Sequence, residues 1–145
     1  MKFELNGKKI DINVAADEPL LEVLRRCNCY SVRSGCDTSN CGICTVWVDD
    51  RPILSCSYPA ARAEGKKVTT IEGVPAEAHE VMELLANEGA DQCGYCSPGF
   101  IMSVIAMKRD LTNPTEQEIN EYLAGNLCRC TGYMSQARVL EKLWS

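Results

Sequence analysis

Apolar residues alternate with polar ones in the first half of the chain and recur at helical spacing in the second. Lys2-Phe3-Glu4-Leu5 and Ile10-Asp11-Ile12-Asn13-Val14 alternate on either side of Asn6-Gly7, which predicts a hairpin. Pro19 then opens Leu20 to Arg26, whose leucines and valine form one helical face and whose arginines fall where the helix dipole favours cations. Thr45 to Val48 and Ile53 to Cys56 are β-prone and flank Asp49-Asp50-Arg51-Pro52, a second predicted hairpin. Val68 to Ile71 adds a strand. The first half therefore reads as a small sheet packed on one helix.

The pattern changes near Pro75. Val81, Leu84 and Leu85 lie at helical spacing between Ala76 and Asn87, and Gly89 is placed to end that helix. Ser97-Pro98 predicts an N-cap and first-turn proline for a central helix through Met107, apolar nearly all round. Thr115 and Glu118 form a capping-box pattern before Glu116 to Ala124, closed by Gly125. Val139, Leu140, Leu143 and Trp144 supply the face of a last helix. The expected fold class is α+β, with one unit over residues 1–75 and a helical one over 76–145, touching across a short boundary.

Cysteine is the outlying residue, ten in 145 positions. The N-terminus lacks the apolar segment of a secretory signal and Phe100 to Met107 is too short to cross a bilayer, so a cytoplasmic chain with reduced thiols is expected. A net charge of −5 argues against nucleic acid as partner. The single histidine, His79, rules out Rieske centres and Cys2His2 fingers, so any metal must be held mainly by sulfur. His79 itself is expected on a helix surface.

Eight of the cysteines form two quartets. Cys36, Cys41, Cys44 and Cys56 are spaced C-x4-C-x2-C-x11-C, whose opening matches plant-type ferredoxin ligands to a two-iron, two-sulfur cluster. A strand returning from the second hairpin would carry Cys56 back to the loop. Cys93, Cys96, Cys128 and Cys130 follow as C-x2-C-x31-C-x1-C, expected at helix ends, with Arg129 turned away from the metal. Gly35, Gly42 and Gly94 beside these ligands either let backbone N–H groups curl around an anionic cluster or simply punctuate turns. Structural zinc sites pair two short knuckles, and neither quartet is built so. A thioredoxin-like role for Cys93-x-x-Cys96 lacks its βαβ setting.

These segments resemble the iron-sulfur subunit of the molybdenum hydroxylases, the xanthine dehydrogenase family. The resemblance lies in Gly35 through Val46, Ser55-Cys56, Thr70-Ile71-Glu72-Gly73, Gln92 through Gly99 and Gly125 through Tyr133. It implies a β-grasp, ferredoxin-like N-terminal domain and a C-terminal four-helix bundle domain, each holding a 2Fe-2S cluster. It further implies a large molybdopterin-binding subunit and an FAD-binding subunit as partners, in a heterotrimer able to dimerise, with no membrane insertion. Electrons from substrate hydroxylation would leave the molybdopterin site by way of the Cys93 quartet, then the Cys36 quartet, to FAD. Gln92 and Cys130 would contact the pterin.

The same resemblance makes the chain part of an oxidoreductase whose hydroxylation site lies in a partner, so no catalytic residue is expected here. Xanthine or another purine is the favoured substrate, because Ser31 to Cys36 looks closest to the bacterial three-subunit enzymes. Aldehyde, N-heterocycle and carbon monoxide oxidising relatives are alternatives. So are a free-standing ferredoxin-like carrier and a zinc-binding module. The resemblance has departures: Asp37 to Asn40 stand where many relatives have a glycine-rich loop, and Gln136 where many carry an apolar residue. Cys27 and Cys29 stand outside both quartets as spare thiols. Trp47, Trp144, Met102, Met107 and Met134 read as core or interface filling.

Overall fold

The structure, a computed structural model, describes residues 1–144. Asn6 and Gly7 take left-handed φ values of 50° and 80°, the mirror-image turn whose twist suits adjoining strands. They join β1 (Lys2–Leu5) to β2 (Lys8–Asp11), which starts directly after the turn, earlier than the alternation suggested. Helix α1 (Leu20–Arg26) follows Pro19 and buries Leu20, Leu21, Val23 and Leu24.

The second hairpin also turns earlier than expected. β3 (Thr45–Val48) and β4 (Arg51–Leu54) are joined by Asp49 and Asp50 alone, at φ 49° and 63°. Asp tolerates this conformation because its short carboxylate can bond locally, and the Asp49 carboxylate accepts from Lys66 Nζ (2.7 Å) and Lys67 N (3.0 Å). Pro52 consequently lies within β4, an edge strand, where a missing N–H is tolerated. β5 is Lys67–Thr69, and Ile71, expected in that strand, instead opens a 3-10 turn over Ile71–Gly73. The strand order is β2-β1-β5-β3-β4, with β1 parallel to β5 and the other pairs antiparallel. One apolar cluster, including Phe3, Leu20, Leu24, Val46 and Val68, fills the space between sheet and α1.

Four helices follow: α2 (Pro75–Asn87), α3 (Ser97–Asp110), α4 (Glu116–Leu123) and α5 (Met134–Lys142). Their shared core contains Val81, Leu85, Phe100, Ile101, Val104, Met107 and Val139. The Thr115–Glu118 capping box is formed in both directions. Ser97 does not cap α3; Cys96 occupies that position, while the Ser97 hydroxyl donates to Asp91 (2.8 Å). Gln136 is buried on α5, and Met134, expected to fill a core or an interface, is 70% exposed and so lies outside the core. Leu143 and Trp144 pack against the helical core from beyond the end of α5. Among the described residues no helix is long and apolar enough to cross a membrane.

A third cluster joins the two halves. Trp47 of β3 packs on Met102 and Ala106 of α3, its indole N–H donates to the Met102 carbonyl (3.0 Å), and Arg109 lies over its ring.

Candidate metal centres

The first quartet sits on the irregular segment between α1 and β3. Gly42 O accepts from the Thr45 N–H (3.2 Å) and hydroxyl (2.7 Å), which closes the loop against the start of β3. Cys44 O likewise accepts from Ser55 N–H (3.3 Å) and hydroxyl (2.7 Å). Ser55 is fully buried, so this pair of bonds fixes Cys56, the next residue, beside Cys44. β4 ends at Leu54, and it is Ser55 that completes the expected return. The thiols of Cys36 and Cys41 touch each other, as do those of Cys44 and Cys56.

The second quartet has the same two-by-two arrangement. Cys93 and Cys130 sulfurs lie 3.6 Å apart, and the Cys96 and Cys128 thiols are in hydrogen-bond contact. Cys96 is fixed by the start of α3, whereas Cys128 and Cys130 occupy the α4–α5 connection. There the Cys128 N–H donates to the Tyr133 hydroxyl (3.0 Å), with Tyr133 at φ 70°. Arg129 is exposed, as the one-residue spacing requires. Gln92 is exposed beside Cys93. Among the described residues no three His, Cys, Asp or Glu side chains gather as a single metal ion would need; the sulfurs meet in pairs.

The two quartets are neighbours. Leu127, adjacent to Cys128, donates its N–H to the carbonyl of Cys41 (2.9 Å), and the Asn126 side chain donates to Gly42 O (3.3 Å). Cys41, Cys96 and Cys128 line one narrow crevice with Ile43 and Phe100. Gly42 has a φ of 72°, and a β-carbon there would stand 2.3 Å from Gly125 O. One on Gly99 of α3 would stand 2.5 Å from both Gly42 O and Ile43 O. The helical half is therefore pressed onto the backbone of the first cysteine loop.

Residues 3–70 match the family described as 2Fe-2S iron-sulfur cluster binding domain, and residues 70–141 the family described as 2Fe-2S binding domain. The chain is 45% identical over 136 residues to the xanthine dehydrogenase iron-sulfur-binding subunit of Escherichia coli O157:H7, covering 89% of this chain and 84% of that one. The chain belongs to the iron-sulfur subunits of the xanthine dehydrogenase family. The structure of quinoline 2-oxidoreductase from Pseudomonas putida 86 superposes with a TM-score of 0.88 at 30% identity, over 97% of this chain and 88% of that one. Aldehyde oxidase 2 of Rattus norvegicus is 38% identical over 92% of this chain, which spans only 11% of that protein's length.

The local chemistry of this iron-sulfur subunit fits 2Fe-2S clusters. A two-iron cluster takes two thiolates per iron and carries negative charge, so it needs paired sulfurs and inward N–H groups. Backbone N–H groups of Asn40, Cys41 and Thr38 point at the Cys36 sulfur and lower its pKa to about 6. Burial acts oppositely at Cys44, raised to about 11. Burial and then the Cys128 thiol raise Cys96 to about 12. At Cys128 burial is outweighed by bonds from the Thr131 hydroxyl (3.2 Å) and the Thr131 and Cys130 N–H groups, leaving the thiol below its usual range. Gly35 packs against Ile43 and the Cys41 sulfur where a β-carbon would intrude, whereas one on Gly94 would meet only the Asp91 carboxylate at 3.7 Å, and Gly94 serves a left-handed turn.

Cys27 and Cys29 stay apart from both quartets. Cys29 is buried in the sheet core, approached by the Thr70 hydroxyl (3.8 Å) and the Asn6 amide (4.0 Å), and burial raises both thiols. His79 is exposed and faces Glu83 at 3.3 Å. Sequence reasoning missed the roles of Ser39, whose hydroxyl lies 3.6 Å from the Cys56 sulfur, of Thr131, and of Arg33 and Tyr95, which link the two loops. Spacing could not reveal them, because each acts through a fold-dependent contact.

Proposed function

We propose that this chain relays electrons between a large molybdopterin-binding subunit and an FAD-binding subunit in a heterotrimeric hydroxylase, with xanthine or another purine as substrate. The observation that carries this reading is the meeting of eight thiols as four pairs in two adjacent groups. In it, the touching pairs Cys36 with Cys41 and Cys44 with Cys56 would each hold one iron of the first cluster. Cys93 with Cys130 and Cys96 with Cys128 divide the second cluster likewise. When bound, each 2Fe-2S cluster supplies reversible one-electron chemistry that no side chain here possesses. The residues of the chain bring the sulfurs together in pairs, aim N–H groups at Cys36 and Cys128, and bury Cys41 and Cys44 of the first site.

The second quartet, with Cys93 and Cys130 exposed, faces the molybdopterin side in this reading, with Gln92 and Cys130 against the pterin. Tyr95, Leu127, Tyr133 and Met134, all exposed and close to its ligands in sequence, support a subunit with a partner over a free carrier. The domain division at residue 75, with a β-grasp unit followed by a four-helix bundle, belongs to the same proposal, as does a cytoplasmic setting. The purine preference rests on Ser31 to Cys36 and on the xanthine dehydrogenase relative.

Anaerobic purification, iron and sulfide analysis and electron paramagnetic resonance of the dithionite-reduced protein test the reading. Two distinct 2Fe-2S signals are expected. Cys130→Ser should disrupt one of them and Cys36→Ser the other; colourless protein with stoichiometric zinc refutes the assignment.

A further inference from the structure

Arg33 and Tyr95 make a reciprocal contact between the two ligand loops. The Arg33 guanidinium donates to the carbonyls of Gly94 (2.7 Å) and Tyr95 (3.2 Å) and lies 5.2 Å from the centre of the Tyr95 ring. The Tyr95 hydroxyl donates back to the Ser34 carbonyl (2.8 Å). Arg33 and Ser34 immediately precede Gly35-Cys36, while Gly94 and Tyr95 are the whole interval between Cys93 and Cys96. The Arg33 side is itself anchored, because Val32 is buried and its carbonyl accepts from Arg25 (3.0 Å) near the end of α1. An anchored segment of the first half thus grips the loop that carries Cys93 and Cys96 in the second. The contact is separate from the Leu127–Cys41 bond, so the two sites are joined at two points.

Building on the relay function proposed above, we infer that Arg33 and Tyr95 are positioning residues for electron exchange between the two sites, and that Arg33 also favours the reduced state of the Cys93 quartet. The charge argument is direct. A four-thiolate 2Fe-2S site gains one negative charge on reduction, and a fixed cation whose hydrogen bonds end on Gly94 and Tyr95 stabilises that charge. The exchange itself moves one electron from a reduced site to an oxidised one and transfers no proton. Both carbonyls are held from one nitrogen, Nη1, so Lys at position 33 would retain the charge and could reach them, but it lacks the planar guanidinium that lies over the Tyr95 ring.

The test uses the full chain with both clusters loaded, as Arg33→Gln, Arg33→Lys and Tyr95→Phe. Iron and sulfide per chain are measured alongside midpoint potentials and the magnetic splitting between the two reduced sites. Arg33→Gln should keep both signals, shift the potential of the Cys93 quartet downward and alter the splitting. Arg33→Lys should recover most of the potential, and Tyr95→Phe should leave the potential in place while changing the splitting. A purely structural role would leave both readouts unmoved wherever both clusters load. Unchanged potentials and splitting in Arg33→Gln overturn the inference. If that variant fails to load, unchanged splitting in Tyr95→Phe, which removes only one oxygen, does so. Absence of two 2Fe-2S signals from the unmodified chain overturns the relay function and this inference together.

Discussion

Gly99→Ala separates local helix preference from the demands of the seam between halves. In an exposed helix this change stabilises by about 1 kcal/mol, since alanine is the better helix former. Gly99, however, is buried in the first turn of α3, and its β-carbon would stand 2.5 Å from two carbonyl oxygens and 2.8 Å from the Ile43 carbonyl carbon. All three atoms are backbone, so no rotamer change relieves the overlap. Overpacking of this kind costs about 1–3 kcal/mol, and a rigid neighbour places it at the upper end. The net expectation is a loss of about 2 kcal/mol, roughly 30-fold in the folding equilibrium.

Anaerobic urea titration of cluster-loaded protein, followed by circular dichroism, measures that loss. Gly125→Ala is the control, because its β-carbon meets nothing within 4 Å. It should stay within about 1 kcal/mol of the parent on the stabilising side. If Gly99→Ala proves as stable as the parent or more so, the proposed pressure of α3 on the first cysteine loop is wrong.

Three further outcomes are expected. Trp47→Phe removes the buried 3.0 Å bond to the Met102 carbonyl and should lower the urea-derived stability by about 1 kcal/mol. Thr115→Ala removes the hydroxyl that accepts from the Glu118 N–H, leaves the backbone N–H of position 115 to donate to the Glu118 carboxylate, and should cost about 1 kcal/mol, seen as a lower midpoint by circular dichroism. For Glu72, burial alone would raise the carboxyl pKa, but bonds from Ser31, Thr70 and its own backbone hold it below the ordinary 4.5. A lowered carboxylate pKa adds stability above the ordinary value and loses it as pH falls through the folded one. The deficit of Glu72→Gln in urea midpoint should therefore be present at about pH 7 and shrink toward pH 3.

Much of this fold was legible because local chemistry and global packing agree. Asn6-Gly7, Pro19 and the Thr115–Glu118 pair each dictate a conformation through their own backbone or side-chain bonds. The errors came where two local signals competed. Pro52 reads as a turn residue, yet Asp49 and Asp50 complete the turn unaided and leave the proline on an edge strand. Ser97 reads as a cap, yet the partner it finds is Asp91. The candidate site divides similarly. Cysteine spacing exposed the two quartets, whereas their pairing depends on Ser55 returning Cys56 and on the start of α3 setting Cys96. The contacts between the quartets join residues 61 to 86 positions apart, beyond any periodicity, as in Arg33 to Gly94 and Cys41 to Leu127.

The seam of Trp47, Met102 and Ala106 bears on how the protein matures. Cys41 and Cys44 are only 6% and 3% exposed, Cys41 beneath the 126–127 segment and Cys44 within the core between sheet and α1, while Cys36 and Cys56 stay partly exposed. Closure of the halves thus covers one side of that site and leaves the Cys36 and Cys56 side open, which gives a loading factor a route into the finished molecule.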